Sequence, residues 1–393
     1  MQDFIYYAPT RMVFGRNSLS LTSGLIKKGG YKKVLIHYGG ESAKKSGLFD
    51  LVVAQVNESG ASYVSLGGVS PNPKLSLIRE GVELCKKENV DFILAVGGGS
   101  VIDSAKAIAI GAKMDQDIWT VFDRTYDPTE ALPVACVLTL SAAGSEMSGA
   151  TVVSNDETSL KRDYVGDIIR PVFSIENPEF SFSVSKYQTG CGAVDIMMHT
   201  LERYFAPDCD VPLTDEIAEA VLRTVREAGV IAYNEPNNYE ARATLMWGSS
   251  ITHNDLTGCG RGSDWATHML EHDVSGMYDH VAHGAGLAAI FPSWARYVMD
   301  VNVDRFCRLA NKLWGIEQGD MTKKEWAEKG IVEFEKHVKS IGMPSCLKEL
   351  GVEEDKLEEI ADMCSNNRTR TIGGFKILDR DDMLNIYKMA YSK

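Results

Sequence analysis

No part of the chain has the roughly 18 uninterrupted apolar residues that a membrane-spanning helix needs. Positive charge is scarce as well. Lys and Arg number 41 against 54 Asp and Glu, a formal net charge of −13, so neither nucleic acid nor an anionic membrane is expected as the main partner. The start, Met1-Gln2-Asp3-Phe4, has no basic stretch ahead of an apolar one, so a signal peptide is not expected. Eight cysteines (Cys85, Cys136, Cys191, Cys209, Cys259, Cys307, Cys346 and Cys364) are scattered without a CxxC pair. In a chain this long that pattern points to reduced, buried thiols in a cytoplasmic protein. Histidine is rare too, with eight in 393 residues, yet four of them fall between His268 and His283.

At 393 residues the chain is too long for one ordinary core and suits two domains. The first half alternates β-like runs (Lys33–His37, Ala61–Ser65, Phe92–Val96, Leu132–Val137) with stretches of helical periodicity (Leu75–Lys87, Val101–Ala112). Such alternation predicts a mostly parallel sheet. From Tyr187 onward the periodicity is helical throughout: Cys191–Phe205, Asp215–Ala232, Tyr239–Thr252, Asp264–Val274, Ala285–Met299, Glu325–Ile341 and Asp355–Met363. The expected division is an α/β dinucleotide-binding domain over 1–185 and an all-α metal-binding and substrate domain over 186–393.

Two kinds of motif carry chemistry. Gly97-Gly98-Gly99-Ser100 lies where a strand turns into a helix, so bare backbone and a helix N-terminus can meet a pyrophosphate. The strict G-x-G-x-x-G fingerprint is missing, and a tight turn without a ligand would look the same. Asp103 has a second reading, as an acidic residue that complements the helix dipole. Gly39-Gly40-Glu41-Ser42-Ala43-Lys44-Lys45 follows the first core strand, where a dinucleotide enzyme meets the adenosine ribose. Glycines, a hydroxyl and two lysines there favour a 2′-phosphate, and Glu41 opposes it. The turn from Thr139 to Glu146 is a second small-residue loop after a strand. The other motif is a divided ligand set: Asp195-x3-His199, His268-x3-His272 and His283-Gly284. An i, i+4 spacing puts both side chains of a pair on one helix face. A carboxylate with imidazoles suits Fe(II) and Zn(II) alike. Metal and dinucleotide together point to hydride transfer.

In order along the chain, Phe14-Gly15, Val69-Ser70-Pro71-Asn72-Pro73, Gly97–Asp103, Gly144-Ser145-Glu146, Gly192-Ala193-Val194-Asp195 with His199, and the His268/His272/His283-Gly284 set resemble the iron-containing (group III) alcohol dehydrogenase family. The similarity is to its butanol dehydrogenase-like, NADPH-using aldehyde reductases, whose fold is dehydroquinate synthase-like. The resemblance implies Asp195, His199, His268 and His283 as ligands of one Fe2+ or Zn2+, with His272 close to nicotinamide and substrate. It implies Gly98, Gly99, Ser100, Asp103, Thr139, Ser145 and Lys161 as NADP(H) contacts, and Gly39, Gly40 and Ser42 as the adenosine-ribose loop. His280 competes with His283 as fourth ligand, because the gap from His268 to His283 is one residue longer than the family's usual one. The expected activity is hydride exchange between NADP(H) and small alcohols or aldehydes, in a cytoplasmic homodimer. A glycerol dehydrogenase, a related lyase and a non-catalytic binding protein are the alternatives.

Overall fold

The structure, a computed structural model, describes residues 1–207 and 210–392, so Cys209 lies outside the described residues. Contacts divide the chain into two compact units, one of Ala8–Ser183 and one of Val184–Lys393 joined by Met1–Tyr7. The first seven residues thus go with the second unit, where the Gln2 amide donates to the Gly260 carbonyl at 2.8 Å. Sequence periodicity had put them in the first, because a short irregular segment carries no pattern that says what it packs on. The other seven cysteines are free, and all are buried or half-buried.

The first unit contains β1 (Arg11–Phe14), β2 (Lys33–Tyr38), β3 (Ser62–Leu66), β4 (Phe92–Gly97), β5 (Val134–Leu138), β6 (Ala150–Asn155), β7 (Leu160–Val165) and β8 (Phe173–Glu176). Its helices are α1 (Thr22–Gly29), α2 (Ser42–Lys45), α3 (Leu48–Glu58), α4 (Leu75–Glu88), α5 (Gly99–Gly111) and α6 (Trp119–Phe122). Six strands form one sheet in the order β1-β8-β5-β4-β2-β3, with every pair parallel. The inner strands read as continuous apolar runs because both faces are covered; every residue of β4, β5 and β8 is buried. β3 sits at an edge, and its Ser62, Tyr63 and Ser65 face solvent. β6 and β7 form a separate antiparallel hairpin, which the sequence reading did not foresee. Its alternation is broken by Lys161, Arg162 and Asp163, so no two-residue period announces it. Within the sheet, His37 is fully buried; its ring bonds the Leu66 carbonyl through Nδ1 at 2.9 Å and the Ser104 hydroxyl through Nε2 at 2.8 Å. The Leu66 carbonyl can only accept, so Nδ1 carries a proton, and burial lowers the ring's pKa to about 4, which keeps it neutral with Nε2 accepting from Ser104.

The second unit is helical: α7 (Lys186–Tyr204), α8 (Pro212–Asn234), α9 (Tyr239–Thr252), α10 (Ala266–Met277), α11 (His283–Val298), α12 (Val303–Trp314), α13 (Lys323–Ser340), α14 (Leu357–Cys364) and α15 (Arg380–Tyr391). α7 is the centre of this unit and is buried from Thr189 to Tyr204. Just past its end, Phe205 packs against Trp294 of α11 and Phe306 of α12, with ring centroids 5.4 and 4.5 Å away. Full burial of each such ring contributes about 1.5–3 kcal/mol. This cluster sets α7 against α11, the two helices that carry Asp195, His199 and His283.

Candidate cofactor loops and metal centre

In the first unit, β2 leads to β3 on one side while β4 leads to β5 on the other. The crevice beyond the exits of β2 and β4 is the switch point at which open α/β sheets receive ligands. Gly39, Gly40 and Ser42 follow β2, Gly98, Gly99 and Ser100 lead into α5, and Thr139 and Ser145 follow β5. The Thr139 amide donates to the Gly97 carbonyl at 3.0 Å, tying two of these exits together. Glycine is needed at the turn for packing alone. A Cβ on Gly97 would stand 2.5 Å from Val101 Cγ2, and one on Gly99 would stand 3.0 Å from Ala143 Cβ. Gly40 differs, since a Cβ there meets nothing within 4 Å and the residue is exposed.

Asp103 is engaged inside the protein. Ser145 Oγ donates to its Oδ1 at 2.5 Å and the Val152 amide to its Oδ2 at 3.1 Å. Buried Lys106, one turn along α5, donates to the carbonyls of Ser145, Ser148 and Ala150 at 2.7, 2.9 and 2.8 Å. Burial pulls the Lys106 ammonium down to about 8, with Asp103 opposing it. Burial likewise raises Asp103, against the attraction of Lys106 and Lys161. Asp103, Ser145 and Lys161 of β7 therefore belong to one network that staples α5 to the loop and hairpin after β5. Lys106 was missed in the sequence, although its i+3 spacing from Asp103 was a signal.

The second unit brings together a compact set of donors. Asp195 and His199 lie one turn apart on α7, His268 lies on α10, and His283 opens α11. Around Asp195 Oδ1 stand His199 Nδ1 at 3.6 Å, His268 Nε2 at 3.7 Å and His283 Nε2 at 3.8 Å. Asp195, His199 and His268 are buried, and Asp195 Oδ1, His199 Nδ1 and His268 Nε2 have no hydrogen-bond partner. Orphaned buried polar atoms cost about 1–3 kcal/mol each, so three converging ones need a common partner. The His199 and His268 nitrogens stand from Asp195 Oδ1 at distances close to the roughly 3.4 Å edge of a tetrahedron with bonds of about 2.1 Å. The donor atoms of these three residues all lie within 4.8 Å of one another, while Glu271, His272 and His283 form a second such group. The donors present therefore fit a divalent cation.

Carboxylates fix which nitrogen faces the centre. Glu202 Oε1 accepts from His268 Nδ1 at 2.8 Å and from its backbone amide at 2.9 Å, which leaves Nε2 for the site. Glu271 Oε2 does the same for His283 Nδ1. Burial works against a charged His268, yet Asp195 and Glu202 outweigh it and raise the imidazole to about 9, whereas burial, with His253 and His268 nearby, pushes the His199 imidazole well below its usual value. Neither glutamate was singled out in the sequence, though Glu202 follows His199 by three residues and Glu271 follows His268 by three. His280 points elsewhere, donating through Nε2 to the Leu350 carbonyl at 2.9 Å. His272 is half-buried, its ring 5.5 Å from that of His283 and outside the three nitrogens around Asp195. Gly284 explains how His283 comes so near α7: a Cβ there would lie 2.1 Å from the Cys191 carbonyl oxygen.

Residues 9–178 match the model of iron-containing alcohol dehydrogenases, and residues 189–391 match that of the Fe-containing alcohol dehydrogenase family C-terminal region. A probable NADH-dependent butanol dehydrogenase of Bacillus subtilis is 42% identical over 99% of this chain and 100% of its own. The NADPH-dependent aldehyde reductase YqhD of Escherichia coli is 31% identical over 99% and 100%. The crystal structure of an NADH-dependent butanol dehydrogenase A from Thermotoga maritima superposes with a TM-score of 0.96, at 40% identity over 100% of this chain and 99% of that one. With a parallel-sheet unit followed by a helical one, and with these matches along its length, the chain belongs to the iron-containing, metal-dependent alcohol dehydrogenase family.

Proposed function

We propose that this enzyme moves a hydride between NADP(H) and small primary alcohols or aldehydes, butanol and butanal among them, with one Fe2+ or Zn2+ held by Asp195, His199, His268 and His283. The observation that carries this reading is the convergence of Asp195 Oδ1, His199 Nδ1 and His268 Nε2, buried and unpartnered, with His283 Nε2 completing the set. A bound divalent metal supplies Lewis-acid polarisation of a substrate oxygen. Glu202 and Glu271 hold the imidazoles of His268 and His283 in the tautomer that presents Nε2. His272 stands beside this set without belonging to it, and its imidazole exchanges the alcohol proton with solvent.

What supports NADP(H) is the loop after β2. Gly40 leaves open space where an NAD-selective enzyme offers a carboxylate, with the Ser42 hydroxyl close behind. Lys44 stays near the strand end, its Nζ 4.9 Å over the Tyr38 ring, and the Tyr38 hydroxyl is the main cause of its raised pKa. NADH is the second reading, favoured by Glu41 and by the names of the Bacillus and Thermotoga relatives. Gly98, Gly99, Ser100 and Thr139 line the pyrophosphate and nicotinamide side, with Asp103, Ser145 and Lys161 bracing that loop. The test is oxidation of NADPH and NADH by butanal, before and after chelation. Turnover with neither cofactor, or turnover indifferent to metal removal and return, refutes the proposal. A homodimer in the cytoplasm is the expected state of the enzyme, and light scattering on the purified protein checks the first part.

A further inference from the structure

Beside the donor set stands a second group of rings. Trp265, at the entry to α10, has its ring centroid 5.2 Å from that of His268, 5.9 Å from His199 and 5.7 Å from His253. His253, where α9 ends, meets His199 edge-on at 4.2 Å with 63° between the planes. Above the indole lies the Arg203 guanidinium, 4.7 Å from the ring centroid, and Arg203 Nη1 donates to the His199 carbonyl at 2.9 Å.

Trp265 holds this place with a left-handed backbone, φ 65° and ψ 5°. That conformation is a genuine outlier for a bulky residue and persists only where the surroundings over-determine it. The surroundings here are the bonds of Asp264. Its amide donates to the Glu202 carbonyl at 2.8 Å. Its carboxylate accepts from Ala266 at 2.9 Å, and from Gly374 and Phe375 at 2.9 and 2.7 Å. The residue just before the strained one is therefore fixed to α7, to α10 and to the 373–375 loop at once.

We infer that Trp265, clamped in a left-handed turn by Asp264 and backed by His253, is a positioning residue that locks the imidazoles of His199 and His268 in the orientation the metal needs. This inference rests on the ligand assignment above. Ring-to-ring contact does for His199 what the Glu202 carboxylate does for His268: it restricts rotation about χ2, so Nδ1 stays aimed at the centre. The indole touches both rings, so one residue couples the ligands of α7 to those of α10.

Metal-free full-length protein titrated with Co2+ tests this, with the dissociation constant and the visible absorption spectrum as readouts. Trp265→Gly keeps the left-handed turn and removes the ring; it should weaken Co2+ roughly ten- to a hundredfold, the range for lost ligand-supporting contacts, and shift the spectrum. Trp265→Phe keeps a ring and should stay within about threefold of wild type with the wild-type spectrum. A Trp265→Gly protein with the affinity and spectrum of wild type overturns the inference, as does an equal loss in both variants. Should Trp265→Gly fail to fold by circular dichroism, His253→Leu decides: weakened Co2+ with a changed spectrum supports the lock, and unchanged binding overturns it. Absence of Co2+ binding by the wild type would bring down the ligand assignment and this inference together. Binding by the wild type that His199→Ala abolishes keeps the assignment standing whatever the Trp265 variants show.

Discussion

Gly284→Ala adds a single methyl at the tightest contact of the metal centre. The new Cβ would stand 2.1 Å from the Cys191 carbonyl oxygen, 2.7 Å from the Cys191 carbonyl carbon and 2.8 Å from its Cα. All three are backbone atoms of α7, so no rotamer change relieves the clash. Restoring an ordinary separation of about 3.5 Å requires α11 to retreat by about 1.4 Å. His283 opens α11, whereas Asp195 and His199 ride on α7 about one and two turns beyond Cys191, so the retreat pulls the ligand set apart. The distance from His283 Nε2 to Asp195 Oδ1, now 3.8 Å, would open well beyond the ~0.2 Å tolerance of a metal site. Overpacking of this kind costs about 1–3 kcal/mol of stability. The expected result is a folded protein with a lower Tm, bound metal reduced by at least an order of magnitude, and kcat falling with it. Metal analysis after dialysis, together with calorimetry of the metal-free form, checks both. A Gly284→Ala enzyme with full metal content and a wild-type Tm would refute the packing argument.

His272→Ala should keep its metal and lose roughly two orders of magnitude or more in kcat, as removal of a general acid–base group does; loss of metal in that variant would make it a ligand instead. Glu202→Gln should weaken metal binding roughly 10- to 100-fold, measured by competition with a chelator. Gly40→Asp should move kcat/KM from NADPH toward NADH, because each charged hydrogen bond to the 2′-phosphate contributes about 1.5–3 kcal/mol; an unchanged ratio would place the phosphate elsewhere. His37 makes stability pH-dependent. Burial lowers its pKa to about 4 against 6.5 in an unfolded chain, so the stabilisation is complete above pH 6.5 and is lost as pH falls from there toward 4, when only the unfolded state takes the proton. About 3 kcal/mol is at stake over that window, and His37→Gln should flatten this part of a urea-denaturation pH profile.

The sequence determined a good deal. Helical periodicity marked α7 to α11, and the i, i+4 spacing of Asp195 and His199 put two donors on one face, because a helix repeats every 3.6 residues whatever surrounds it. Apolar runs ending in glycine marked β2 and β4, since strands covered on both faces need no alternation. These are local properties, and a local pattern records them. Tertiary structure decided the rest. It bent the chain so that His283 rather than His280 reaches Asp195, which depends on where α10 ends and on the room Gly284 leaves beside Cys191. It revealed Glu202 and Glu271 as the carboxylates that set the histidine tautomers, a matter of contacts between helices, α7 with α10 and α10 with α11, that no spacing along the chain records. Asp103, Ser145 and Lys161 turned out to share one buried network with Lys106, and the order of strands made β2 and β4 neighbours with diverging exits. Spacing along the chain says which residues share a face; only packing says what that face meets.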